Sequence, residues 1–249
     1  MGALREGSDG VEAESFAIDG ADGARIPLYH ARPLGSPPRV GIVVHPDIGG
    51  LRTLFEELAE RLASHGHSVA VFEPFARVDP DERVAMDLDA RMEAVRTLDD
   101  AQQLADMERV ADALAERDAV REMAVIGFCM GGMYTLKAAA TGRFDRAVSF
   151  YGMVTVPENW RGPRMAEPLA TATTVCPTMA VLGGADPWTP PSDVAALRVA
   201  WKDRPDCEIV LYPDAEHGFV HDPERPAHRA EDAEDAWRRA LDFLAERTG

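Results

Sequence analysis

Short apolar, β-branched runs alternate with longer amphipathic stretches along almost the whole chain, and this alternation limits the possible folds more than any other feature. Residues 14–18 and 26–31 form a β-rich start around the turn Asp19-Gly20-Ala21-Asp22-Gly23. Strand-length runs follow at 39–45, 67–72, 123–126, 147–150, 178–182 and 208–211. Between and after them the spacing predicts helices. Residues 52–65 carry Leu54, Leu58 and Leu62 four apart, and 98–117 carry Leu104, Met107, Ala111 and Leu114 on one stripe. Residues 130–141 stop at Gly142, 191–201 follow, and 229–247 align Ala233, Trp237, Leu241 and Leu244. Strand–helix alternation of this kind predicts the α/β class, with a mostly parallel central sheet covered by helices on both faces. The chain shows no internal repeat, linker or low-complexity tract. It reads as a single domain over 14–249 behind a Gly-rich, acidic, flexible N-terminus of residues 1–13. The Pro-, Gly- and Thr-rich stretch 151–175 reads as an excursion over the sheet edge.

The net charge of −17 argues against nucleic acid or an anionic membrane surface as partner, because both select positive surface. No apolar run approaches the ~18 residues of a membrane helix. The N-terminus lacks the basic-then-apolar order of a secretory signal. Cys129, Cys176 and Cys207 are too few and too scattered for a disulfide framework, so a cytoplasmic protein is expected.

The sharpest local pattern is Ile126-Gly127-Phe128-Cys129-Met130-Gly131-Gly132, where a β-branched run meets a predicted helix. It is the glycine–x–nucleophile–x–glycine pattern of a strand–turn–helix elbow, with Cys in place of Ser. A tight turn lifts the nucleophile clear of the sheet, and its flanking glycines leave room for the backbone crossing. The helix beginning at Met130 aims its positive end at Cys129, and the Met130 amide can donate to a developing oxyanion. A buried Cys in a glycine-rich connection is the plain alternative. A phosphate loop is disfavoured because no GxxxxGK[ST] occurs.

An elbow nucleophile requires an acid and then a His downstream. Asp186 follows the run 178–182, and His217 follows 208–211. The separations of 57 and 31 residues leave room for the chain to return to the same sheet end. Singly, Asp186 before Pro187 is an ordinary turn residue and His217 an ordinary loop His. Jointly, three residue types in the required order point to a catalytic triad. His30, His65, His67 and His228 read as surface or satisfied core residues, and Cys176 and Cys207 as small apolar packing. No HExxH or CxxC suggests a metal, and His65-Gly66-His67 is the nearest approach to one.

These residues resemble the dienelactone hydrolase family of the α/β-hydrolase fold. The matching segments are His45-Pro46-Asp47-Ile48-Gly49-Gly50, Glu73-Pro74-Phe75-Ala76-Arg77, the elbow, Phe150-Tyr151-Gly152, Gly183-Gly184-Ala185-Asp186 and Glu216-His217-Gly218-Phe219. The resemblance spans about residues 14–247. It implies a triad of Cys129, His217 and Asp186, and an oxyanion hole from the Ile48 and Met130 amides. It also implies carboxylic-ester hydrolase activity on a small ester or lactone through an acyl-thioester, without a cofactor or metal. Family members that open dienelactones carry a Glu at the place of Asp47, which takes the proton of the resting thiol. Asp47, one methylene shorter, is therefore a nucleophile-activating candidate. Those members also grip a substrate carboxylate with two arginines. Arg77 matches the first, and the second falls at His221, a weaker and pH-dependent anion ligand. Tyr151 and Trp188 are candidate pocket walls, with core packing an equal alternative for Tyr151.

Two other readings stand beside this one. One is a thiol-dependent carboxylesterase or thioesterase acting on uncharged substrates. The other is a non-catalytic ligand-binding or redox-sensing member of the fold, since exposed thiolates oxidise. The partner expected is a small-molecule ester or lactone, and the sequence leaves monomer or dimer open.

Overall fold

The computed structural model describes residues 4–246. Residues 1–3, part of the segment expected to fray, and residues 247–249, with the end of the helix expected over 229–247, lie outside the described residues. Eight strands form one sheet: β1 (Val11–Asp19), β2 (Arg25–Pro33), β3 (Gly41–His45), β4 (Ser68–Phe72), β5 (Met123–Phe128), β6 (Arg146–Phe150), β7 (Thr178–Gly183) and β8 (Cys207–Tyr212). Their order is β1-β2-β4-β3-β5-β6-β7-β8. β1 and β2 pair antiparallel, as do β2 and β4, and every later pairing is parallel. This is the mostly parallel α/β-hydrolase sheet that the alternation and the resemblance predict.

The helices are α1 (Thr53–Ser64), α2 (Pro80–Ala85), α3 (Leu88–Val95), α4 (Asp100–Asp118), α5 (Met130–Ala138), α6 (Pro191–Ala200) and α7 (Ala230–Ala245). The central strands are buried on both sides, so neighbouring residues feed different cores. Ile42, Val44, Ala124 and Ile126 pack with Phe55 and Leu62 of α1 and Trp237 and Leu244 of α7. Val43 and Val125 point the other way, onto Val110 and Leu114 of α4, Met133 of α5 and Leu197 of α6.

Two expectations need correction, and two helices were not anticipated. Residues 4–13 do not simply fray. Leu4 is 2% exposed in the core beneath α1 and α7, and β1 already begins at Val11. One buried leucine and an antiparallel strand partner outweigh the glycine-rich, acidic composition. Residues 151–175 leave a strand in the middle of the parallel array rather than capping its edge. Two short 3-10 turns (Glu158–Trp160 and Pro168–Thr171) carry Trp160, Ala172 and Val175 into the core beside α4, α5 and α6. Finally, α2 and α3 have no apolar periodicity to announce them. α2 buries no side chain, and Asp79 and Asp87 start the two helices by accepting backbone amides.

The parallel arrangement brings the C-terminal ends of β3, β5, β6, β7 and β8 to one end of the sheet. β3 continues to β4 on one side while β5 pairs on the other, so the strand order reverses there. The crevice at such a reversal is where open α/β sheets bind ligands.

Candidate active site

β5 ends directly at Cys129, the residue before α5, with backbone angles φ 56° and ψ −117°. A non-glycine residue seldom adopts a positive φ, and this one is held by its surroundings. The Cys129 amide donates to Phe150 O at 3.0 Å, and its carbonyl accepts from Met133 N at 3.0 Å. A Cβ on Gly127 would fall 2.1 Å from Gly131 O, and one on Gly131 would fall 2.1 Å from His45 O. Any side chain at either position would push strand and helix apart. The elbow pattern in the sequence thus has a steric cause. Cys129 is half-buried, not sealed in the core. Met130 opens α5, so its amide has no acceptor within the helix.

His217 stands in the loop after β8, and Asp186 in the loop after β7. His217 Nδ1 lies 2.8 Å from Asp186 Oδ2, and Asp186 Oδ1 accepts the Trp188 amide at 2.8 Å. Burial pushes the His217 imidazole down. The electrostatic pull of Cys129, hydrogen bonds to Asp186 and Cys129, and the charge of Asp186 outweigh it and lift the ring to about 10. The ring thus sits between a carboxylate and the sulfur. The edge of the Tyr151 ring meets it from one side, at 5.2 Å between centroids.

Cys129 and His217 open into a cavity of about 640 Å³. Ile48, in the loop after β3, forms part of its rim. Trp160 and Trp188 stack at 5.7 Å to build an apolar wall, and Met92 of α3 contributes from the roof. Glu73, at the end of β4, braces the Ile48 loop by accepting the Leu51 amide at 3.1 Å.

The other expected site residues are placed differently. Arg77 does not reach the cavity. Its guanidinium is clamped by Asp22 of the β1–β2 turn (3.0 Å from both Nε and Nη2) and by Asp106 of α4. Two carboxylates on one guanidinium leave little of it for a substrate anion. His221 is buried beneath the cavity, with Nε2 2.9 Å from Asp47 Oδ2 and Nδ1 against the Tyr151 hydroxyl. Tyr151 is likewise fully buried, a floor residue rather than a wall. Asp47 turns its carboxylate to Arg52, at 2.6 and 2.9 Å, and to His221. Trp188 does line the cavity.

Sequence reasoning missed the charged groups that line this space, chiefly Arg52, Arg91 and Arg225. Arg52 is committed to Asp47. Arg91 spends its donors on the Arg83 carbonyl and, more distantly, on Ile48 O. Arg225 is half-buried against Gly218, immediately after His217, and its guanidinium has no carboxylate partner among the described residues. The buried Trp160 Nε1 also lacks a partner among them. No sequence pattern marks Arg225, which lies in a turn-rich loop eight positions beyond His217.

Comparison with known proteins bears on the fold and the family. The profile of the dienelactone hydrolase family matches residues 26–248. A protein of Escherichia coli K12 named "Putative carboxymethylenebutenolidase" is 31% identical over 97% of this chain and 90% of its own length. A Bradyrhizobium protein named "Probable 2-oxo-3-(5-oxofuran-2-ylidene)propanoate lactonase" is 28% identical over 94% of this chain and 96% of its own. The crystal structure of a "Putative Dienelactone Hydrolase" from Klebsiella pneumoniae superposes with a TM-score of 0.84 at 28% identity, covering 96% of this chain and 100% of that one.

Proposed function

Because the chain belongs to the dienelactone hydrolase family, we propose that it cleaves a small ester or lactone at Cys129, with His217 and Asp186 as its partners. The Cys129 sulfur attacks the carbonyl carbon, and the π electrons move onto oxygen. The Ile48 and Met130 amides receive that charge. Collapse of the adduct expels the alkoxide or enolate, which takes the proton carried by His217, and leaves an acyl-thioester on Cys129. Water then attacks the thioester while His217 accepts its proton. Departure of the sulfur releases the carboxylic acid and restores the starting pair. Asp186 holds the ring with Nδ1 protonated and stabilises its positive charge.

The observation that supports this reading most is the 2.8 Å contact from His217 Nδ1 to Asp186, on a ring that shares the cavity with Cys129. In place of the two anion ligands expected at Arg77 and His221, Arg225 is the group suited to an anionic substituent. Its guanidinium has no carboxylate partner among the described residues, and a substrate carboxylate would pair with it in bidentate fashion.

The test is an ester pulse followed by intact-mass measurement, run beside a Cys129→Ala variant on p-nitrophenyl acetate. A transient acyl adduct on Cys129, and loss of turnover by several orders of magnitude in the variant, are expected. Hydrolysis by Cys129→Ala at the parent rate would refute the assignment.

A further inference from the structure

Beneath the nucleophile lies a chain of buried polar groups that the hydrolysis steps do not use. Asp47 is the second residue after β3. Its Oδ1 accepts the Gly49 amide at 2.8 Å and Arg52 Nη1 at 2.6 Å. Its Oδ2 accepts Arg52 Nη2 and His221 Nε2, each at 2.9 Å. An ionised carboxylate offers about four lone-pair positions, and these four donors occupy them. No position remains for the proton of a thiol, which is what a base acting on Cys129 would need.

The proton arrangement along the chain follows from the same contacts. Burial raises the Asp47 carboxyl, but hydrogen bonds from His221 and Arg52 outweigh it and hold the group far below the usual carboxylate range. Burial pushes the His221 imidazole down by more than Asp47 pulls it up, which favours the neutral ring. A carboxylate can only accept, so Nε2 carries the ring's one proton. Nδ1 is then bare and accepts from the Tyr151 hydroxyl. The order Tyr151 → His221 → Asp47 ← Arg52 therefore has a single hydrogen-bonding sense.

This chain joins three strand ends that frame the site. Tyr151 follows β6 with a positive φ of 38°, and its ring edge meets His217. His221 comes four residues after His217 in the loop beyond β8. Asp47 precedes Ile48, and its carboxylate also binds the amide that follows Ile48. The peptide expected to donate to the oxyanion is thus pinned from both sides by one carboxylate.

We propose that Tyr151, His221 and Asp47 are positioning residues: they fix the Ile48 amide and the His217 ring relative to Cys129, and Asp47 is not the base that activates the thiol. The inference rests on Cys129 being the nucleophile, as proposed above. It predicts that breaking the chain lowers the rate of the chemical step without changing how reactive the sulfur is. Buried groups sharing one network also lose function together rather than additively.

The experiment compares the parent with Tyr151→Phe, His221→Leu and His221→Gln. It measures kcat and KM on p-nitrophenyl acetate and the rate of Cys129 alkylation by iodoacetamide. For His221→Leu, kcat should fall roughly 10- to 100-fold, somewhat less than the ~10²–10³ seen when an oxyanion donor is deleted outright. KM and the alkylation rate should stay within about twofold of the parent. His221→Gln, whose amide can still donate to Asp47, should recover most of the loss. Tyr151→Phe removes one oxygen and carries the same test if the leucine variant fails to fold. An unchanged kcat in Tyr151→Phe and His221→Leu would overturn the proposal, as would alkylation that slows in step with kcat. If the parent itself forms no acyl adduct at Cys129, the nucleophile assignment fails first, and that result is visible before any variant is made.

Discussion

Asp186 receives the Nδ1 proton of His217 on one oxygen and the Trp188 amide on the other, each at 2.8 Å. One carboxylate therefore sets both the tautomer of the ring and the position of a cavity wall. Asp186→Asn keeps the shape but can present N–H to Nδ1, which favours the wrong tautomer. Its kcat on p-nitrophenyl acetate should fall roughly 10³- to 10⁴-fold, with the fold intact by circular dichroism. A loss below tenfold would remove Asp186 from the machinery.

The elevated His217 ring makes a prediction about stability as well. Its proton is held up to about pH 10 in the folded chain, against an ordinary value of 6.5. The folded state thus binds more protons than the unfolded one between those values. The contribution is complete below about pH 6.5 and fades as pH rises through 10. The parent should lose Tm over that interval faster than His217→Gln does. Parallel melting curves would contradict the shift.

Arg225→Gln should separate substrates by charge. Losing a charge-assisted hydrogen bond costs about 1.5–3 kcal/mol, or roughly 10- to 100-fold. That factor should appear in kcat/KM for esters carrying a carboxylate, while neutral esters keep the parent value within about twofold. Equal losses on both classes would assign Arg225 to loop structure instead.

Far from the cavity, Asp118 at the end of α4 has a fully buried side chain that accepts from His30, Ser68 and Arg32. Burial raises this carboxyl, but hydrogen bonds from His30, Ser68 and Arg32 outweigh it and bring the group down to about 2. Its stabilisation is present above the ordinary carboxylate range and is lost as pH falls through 2. Asp118→Asn should cost about 3 kcal/mol in urea unfolding at pH 7, and the difference from the parent should shrink toward pH 2. A constant difference across that range would show that the charge is not what stabilises.

The central strands β3 to β7 were legible because each is a short apolar run buried on both sides, a pattern few other structures produce. Cys129, Asp186 and His217 could be nominated because chain order and strand ends constrain them together. The destinations of the arginines were not legible. Arg77 follows the motif of the family, yet Asp22, 55 positions earlier, and Asp106, 29 positions later, fold against it and occupy its guanidinium. Arg225 forms no ion pair with a carboxylate among the described residues, although Asp222 lines the same cavity, and that outcome leaves no trace in local sequence. α2 and α3 escaped notice for a related reason: helices that bury almost nothing carry no apolar stripe.

Those two helices also bear on how such an enzyme diversifies. α2 anchors no side chain in either core and α3 anchors only Val95, yet α3 supplies Leu88, Arg91 and Met92 to the roof above Cys129. The reacting groups, by contrast, are rooted in strand ends that cannot shift without disturbing the whole sheet. The roof meets the floor mainly through Val95 and the Arg91 contact to Ile48 O, so exchanging residues 80–95 would reshape the space for an acyl or alcohol group while leaving the strand ends that carry Cys129, Asp186 and His217 in place.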